Sequence, residues 1–435
     1  MELTSSHASP ARLGPAVLRF LAVVAVMMVT SSQLLPIISW SFLPRRQAAA
    51  SGHGRAPGRC VMFNFGDSNS DTGGLVAGAG FRLHRPHGRL FFGRPSGRFS
   101  DGRLYIDFLC TSNVCTMHVF SLDYAHEIRL ISSVWWRAGE RLGLDYLSPY
   151  LESSGVSFRH GANFAAAGAA TAQTADTGQF SLPTQLRQFR HFKARTAELL
   201  PLGLGSGITD EEFRHAVYTF DIGQNDISVA FTANLTQEGI LGSVVPAIAT
   251  RIRNAVKTVY EAGGRKFVLY NTGPFGCLPS TLAQHRTRPG RGGGHELDGA
   301  GCLAGHNGVA EALNARLRRL RDDLAAELPA AAGVGVDMHA IKYGLFANHS
   351  AHRFSSPLTA CCGAGGPPYN YEPGAACGTA KAKACSEPEG GRRISWDGVH
   401  YTEAANRIVA DKILSAEYNT PPLPLQTMCE GDGDT

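Results

Sequence analysis

Val61-Met-Phe-Asn-Phe65 runs directly into Gly66-Asp67-Ser68-Asn69-Ser70-Asp71-Thr72-Gly73, so a short β-prone run stops at a glycine and gives way to a polar turn. Val217 to Ile222 repeats the pattern and ends in Gly223-Gln224-Asn225-Asp226. Outward from these two runs the hydrophobic period changes. Leu241, Val244, Val245, Ile248, Ile252, Val256 and Val259 recur at helical spacing, Gly263-Gly264 supplies a stop, and Lys266 to Tyr270 reads as the next strand. Leu313, Leu317, Leu320, Leu324 and Leu328 mark a second helix, Val334 to Met338 a further strand, and Ala404 to Leu414 a last helix. The alternation predicts an α/β fold with a parallel sheet covered by helices on both faces. Such sheets bind ligands at the carboxyl ends of their strands, which is where the polar turns after Phe65 and Ile222 belong.

Composition agrees with one large globular unit. Hydrophobic residues make up 43% of the 435 and charged residues 18%, enough apolar side chain for a sizeable core. The net charge of +5 is small for this length, and the Gly/Arg stretch from His285 to His295 lacks interleaved aromatics. A nucleic-acid partner is therefore not expected. The 50 glycines show no repeat period, which assigns the excess to loops rather than to collagen or a solenoid.

Arg12 and Arg19 precede the apolar run Phe20 to Val29, the pattern of an export signal, and residues 1–46 are read as a signal peptide and leader. Thr30-Ser-Ser-Gln33 and Pro36 interrupt what would otherwise approach the roughly 20 apolar residues of a membrane span, so the alternative is an uncleaved anchor holding the protein in the Golgi. In an exported chain the ten cysteines are expected to form disulfides, with pairing left open, because the spacing of Cys361, Cys362, Cys377 and Cys385 lacks zinc-type knuckles. Asn234-Leu-Thr236 and Asn348-His-Ser350 are acceptor motifs for N-glycosylation at Asn234 and Asn348.

An acyl-transfer site needs a nucleophile, a base, a group that orients the base, and donors for the oxyanion. Ser68 follows a strand and a glycine, where a turn can lift its hydroxyl onto the sheet rim, although a serine there also suits a helix cap. Asp397-Gly-Val-His400 places a carboxylate three residues before an imidazole, while Thr402 can cap a helix beginning at Glu403. The small-residue stretch Gly161 to Ala169 allows close backbone approach, and Asn225 carries an amide donor on a strand-end loop.

These four blocks, in this order, resemble the GDSL esterases/lipases of the SGNH hydrolase superfamily, in its large plant branch. The resemblance covers about residues 60 to 420. It implies a three-layer α/β/α, flavodoxin-like fold with about five parallel strands over residues 58–420, followed by a tail at 421–435. It also implies Ser68 as nucleophile, His400 as base and Asp397 as its partner. The Ser68 amide, the Gly168 amide and the Asn225 side chain would form the oxyanion hole, with neither metal nor cofactor. The name-giving tetrapeptide ends in Leu, where this chain has Asn69. Ala360 to Asn370 and Trp396 to Asn406 look most like the branch containing early-nodulin-like proteins and xylan acetylesterases. The expected substrate is thus an ester, of acetylated cell-wall polysaccharide in the first instance and of a fatty acid in the second. The expected location is outside the cell, in the wall.

One departure stands out. Asp101 to Cys110 reads as the start of a helix and Arg141-Leu-Gly-Leu as its end, but Thr111 to Ala138 between them has no sustained period and carries Trp135 and Trp136. It reads as an insertion, either retained intron sequence whose deletion restores the helix and raises soluble yield, or a functional flap. A catalytically inactive wall glycoprotein is the outcome expected if the insertion disrupts the site.

Overall fold

In a computed structural model, residues 60–110, 146–174, 178–287 and 296–429 are described here. The leader and the insertion lie outside them. Strands β1 (Met62–Gly66), β2 (Gly161–Asn163), β3 (Val217–Asp221), β4 (Lys266–Tyr270), β5 (Ala332–Val336) and a short β6 (Asn419–Thr420) form one sheet in the order β2-β1-β3-β4-β5-β6. The first five are parallel, in register Met62 with Gly161 and with Val217, and β6 adds antiparallel to β5. Five parallel strands in a flavodoxin-like order match the expected architecture, with β6 as an unforeseen edge.

Alternation along each strand builds two cores. Phe63, Phe65, Tyr218, Phe220, Phe267 and Leu269 face one side, while Met62, Val217, Val268, Tyr270, Val334 and Val336 face the other. On the first side lie helices α3 (Leu182–Leu199), α6 (Val245–Glu261) and α8 (Ala304–Glu327), whose Phe189, Ile248, Val256, Leu313 and Leu317 are buried against the sheet. The second side is covered by α2 (Tyr105–Leu109), α9 (Met338–Ala347) and α10 (Glu403–Leu414), through Tyr105, Ile341, Leu345, Val409 and Ile413. Each such large apolar side chain contributes about 1.5 to 3 kcal/mol on burial. The remaining labelled helices are α1 (Gly74–Ala79), α4 (Asp210–His215), α5 (Gln224–Thr232) and α7 (Pro279–Thr287).

Three boundaries differ from the sequence reading. The strand assigned to Val334–Met338 ends at Val336, because Asp337 accepts a hydrogen bond from the Ala340 amide at 3.0 Å and caps α9. The helix expected from Asp101 starts at Tyr105: Asp107 accepts from the Leu104 amide at 2.9 Å, and Asp101 is instead occupied by the Glu403 amide at 2.7 Å. Part of the expected tail packs on the domain, with Leu425 and Met428 buried and Cys429 bonded to Cys60. Cys277–Cys302, Cys361–Cys385 and Cys362–Cys377 are the other disulfides among the described residues, where no helix is long and apolar enough to cross a membrane.

Candidate active site

The polar turn after β1 is fixed from three directions. The amide of Asp67 donates to the Asp221 carbonyl at 3.2 Å, and Ser70 donates its amide back to the Asp67 carbonyl at 3.2 Å, closing a turn with Ser68 inside it. From α3, Gln185 accepts from the Gly66 amide at 2.9 Å and donates to its carbonyl at 2.8 Å. Asp71 accepts from the Gly73, Gly74 and Leu75 amides at the start of α1 and from the Ala167 amide at 2.8 Å. The first amides of α1, which follows its N-cap Gly73, are therefore taken up by Asp71, and Ser68, 5% exposed, is spared that task.

The stretch Gly161–Ala169 begins as β2 and then bends past the Ser68 turn. Gly168 has φ +76°, a left-handed conformation that favours glycine, and it is exposed at the rim. The Asn225 amide, on the first turn of α5, donates to the Ala169 carbonyl at 2.8 Å, and Asp226 accepts from the Thr171 amide at 2.9 Å. These bonds bring Asn225 and the Gly168 segment together.

Asp397 and His400 form a direct pair. Asp397 Oδ2 lies 2.6 Å from His400 Nδ1, and its Oδ1 accepts from the amides of Val399 at 3.0 Å and His400 at 2.9 Å. Burial by itself would raise the Asp397 carboxyl, but the His400 charge and these hydrogen bonds outweigh it and hold the group at about 2. Burial likewise opposes charge on His400, and the adjoining carboxylate reverses the effect, so its pKa is raised above the usual imidazole value. With Nδ1 committed to Asp397, Nε2 is the nitrogen available for proton transfer. Thr402 also caps α10, accepting from the Ala405 amide at 3.3 Å, so the cap and the acid–imidazole pair coexist.

The loop carrying this pair rests on the disulfide-rich segment. Amides of Cys361 and Cys362 donate to the carbonyls of Ser395 and Trp396 at 3.0 and 2.6 Å, and the fully buried Trp396 packs on both cysteines. Gly398 has φ +97°, and a side chain there would collide with the Tyr371 ring.

Ser68 and His400 meet through their neighbours. Asp67 acts electrostatically on His400, and the Lys342 ammonium lies 3.3 Å from Asn69 Oδ1 and 4.7 Å from the centre of the Tyr401 ring. Among the described residues the Ser68 hydroxyl makes no hydrogen bond, to His400 or elsewhere. Such contacts commonly tighten only with substrate in place.

Beside Asn225 and Val399 opens a cavity of about 120 Å³. Its walls carry Ser228, Thr232, Ser280 and Gln284, and its aromatic surface is formed by Phe231, Phe275 and His306. The His306 ring stacks on Phe231 at 4.1 Å, and burial together with His285 holds it down at about 4, so it is a neutral face. Sequence reading missed these residues and the buried Lys342. The latter had a visible signal, one cation inside the apolar helical run Met338–Ala347.

A family profile described as GDSL-like lipase/acylhydrolase matches residues 62–413. A GDSL esterase/lipase of Arabidopsis thaliana is 43% identical over 404 residues, covering 92% of this chain and 98% of that protein. Alpha-L-fucosidase 3 of the same plant is 38% identical over 81% of this chain and 89% of its own length. An esterase of Hevea brasiliensis is 39% identical over 85% of this chain and 88% of its own.

Proposed function

The chain belongs to the GDSL-like lipase/acylhydrolase family and is a carboxylic ester hydrolase; from that premise we propose that it is a secreted serine esterase working through an acyl-enzyme on Ser68. His400 Nε2 takes the proton from the Ser68 hydroxyl as its oxygen adds to the ester carbonyl. The amides of Ser68 and Gly168 and the Asn225 side chain receive the negative charge that develops on the carbonyl oxygen. The alcohol then leaves with the proton from His400. Water, deprotonated by the same imidazole, releases the acid. The observation that carries this reading is the 2.6 Å Asp397–His400 pair, which leaves Nε2 for proton transfer in a loop joined through Lys342 to the Ser68 turn.

The substrate we propose is an acetyl ester of a hydroxyl-rich carbohydrate of the cell wall. An aromatic face with hydroxyl and amide groups around it suits a sugar ring better than a long acyl chain. Export, through the segment read as a signal, and glycans on Asn234 and Asn348 belong to the same proposal. Both asparagines are exposed. The fucosidase name of one relative raises a second reading, glycoside hydrolysis. That chemistry uses two carboxylates flanking the bond, whereas Asp397, the carboxylate beside the imidazole, is committed to His400 Nδ1 at 2.6 Å. The test sets acetylated xylo-oligosaccharides beside short- and long-chain p-nitrophenyl esters and a p-nitrophenyl fucoside. Acetate release with the highest kcat/KM is expected. Preference for the long-chain ester or cleavage of the fucoside would overturn the substrate assignment.

A further inference from the structure

Behind the Ser68 turn lies a buried polar cluster that the proposed chemistry does not use. Lys342, from α9, is 3% exposed, and its ammonium meets Asn69 Oδ1 at 3.3 Å. Asn69 in turn gives both its side-chain amide and its backbone amide to Asp67 Oδ1, each at 3.0 Å. Asp67 and Asn69 are the two residues that flank Ser68. Asp221, at the end of β3, completes the group; Tyr105 donates to its Oδ2 at 2.6 Å, and its carbonyl accepts from the Asp67 amide. On its other side the ammonium lies over the ring of Tyr401, the residue after His400. One cation therefore touches the loop of the nucleophile and the loop of the base.

A buried ammonium is costly unless it is hydrogen-bonded and faces opposite charge, and this one faces two carboxyls. Burial and the neighbouring Asp221 push Asp67 up to about 7, against the pull of Asn69 and Lys342. Burial lowers the Lys342 ammonium, and Asp221 and Asp67 oppose that. The cluster thus has a charge balance that depends on Lys342 staying in place. Asn69 supplies the acceptor that holds it, at the position where the family's name-giving tetrapeptide has a leucine, which has no polar atom to offer.

We propose that Lys342 and Asn69 act as one unit, a positioning pair that fixes the Ser68 turn against the His400 loop. The inference rests on Ser68 and His400 being the reacting groups. Lys342 and Asn69 touch the loops of Ser68 and His400 rather than the cavity beside Asn225, which assigns the pair to the chemical step rather than to substrate binding.

The experiment is a double-mutant cycle with Asn69→Leu, Lys342→Met and the double variant, assayed on p-nitrophenyl acetate. Rates are normalised to sites titrated with a fluorophosphonate, so that misfolded protein does not count. Each single variant is expected to lose about tenfold in kcat with KM within about twofold, and the double variant to lose no more than the worse single. Additive losses, or wild-type kcat in Asn69→Leu, would overturn the pairing. If Lys342→Met does not fold, Asn69→Leu decides alone: a lowered kcat at unchanged KM supports the proposal, and any other outcome sinks it. Wild-type protein and Ser68→Ala run alongside. Hydrolysis retained in Ser68→Ala signals failure of the underlying reading, whereas an inactive Ser68→Ala beside fully active Asn69→Leu signals failure of this one alone.

Discussion

In the proposed mechanism, activity depends on the protonation of one imidazole, that of His400. A base must be neutral to accept a proton, and a His400 pKa raised above 6.5 keeps the ring charged to higher pH than a free histidine would be. The acid limb of the kcat/KM profile should accordingly fall above pH 6.5, with activity lost as pH drops through it. A limb below pH 6 would mean that the Asp397 carboxylate does not govern the base. Asn225 gives a second test. As an oxyanion donor, its replacement in Asn225→Ala should lower kcat by about 100-fold, near 3 kcal/mol, with little change in KM. Because its amide also donates to the Ala169 carbonyl, circular dichroism and a melting curve should accompany the rates. The sequence showed Ser68, Asn225, Asp397 and His400 as candidates through their place after strands and before a helix, whereas Gly168 was singled out only through the family resemblance of its small-residue stretch. Lys342 offered only the signal of one cation in an apolar helical run, and the cavity residues stayed hidden, since a threonine or histidine inside a helix has no local pattern that tells a buried contact from a solvated one.

Elements explain why two distant loops hold still. The segment from Cys361 to Cys385 has little regular structure, yet two disulfides make it a rigid shelf under Trp396 and hence under the Asp397–His400 turn. Replacing Cys362 and Cys377 together by serine opens a loop of 15 residues and should cost about 3 kcal/mol of stability. Activity should fall below what the loss of folded protein explains, because the shelf also orients His400. A lower melting temperature with unchanged kcat per titrated site would show that the shelf is structural only. Element types were legible wherever the apolar period was long, as in α6 and α8. β2 and β6 were not read as strands: three small residues and two polar ones carry no β pattern, and pairing with β1 and β5 alone makes them strands. The misplaced end of β5 has a related cause, since Val334 to Met338 is apolar at both ends and only the Asp337 cap separates strand from helix.

Over the whole molecule, the sheet sets Ser68 and Asn225 on one rim because β1 and β3 are neighbours in parallel register. Cys60 and Cys429 then join the two ends of the described chain across 369 residues. Cutting that link in a Cys60→Ala/Cys429→Ala variant should lower stability by about 6 kcal/mol, read from the denaturation midpoint, with the rate per folded molecule unchanged. The alternation of strand and helix made the layered fold legible, while the disulfide pairs were not, because pairing depends on which loops the fold brings together. The proposed acyl-enzyme on Ser68, activated by His400, can be probed by peptide mapping after reaction with a fluorophosphonate. Wild-type protein should carry the adduct on the peptide containing Ser68, His400→Ala should label far more slowly, and Ser68→Ala not at all. An adduct on any other residue, or labelling of Ser68→Ala at the wild-type rate, would contradict the account.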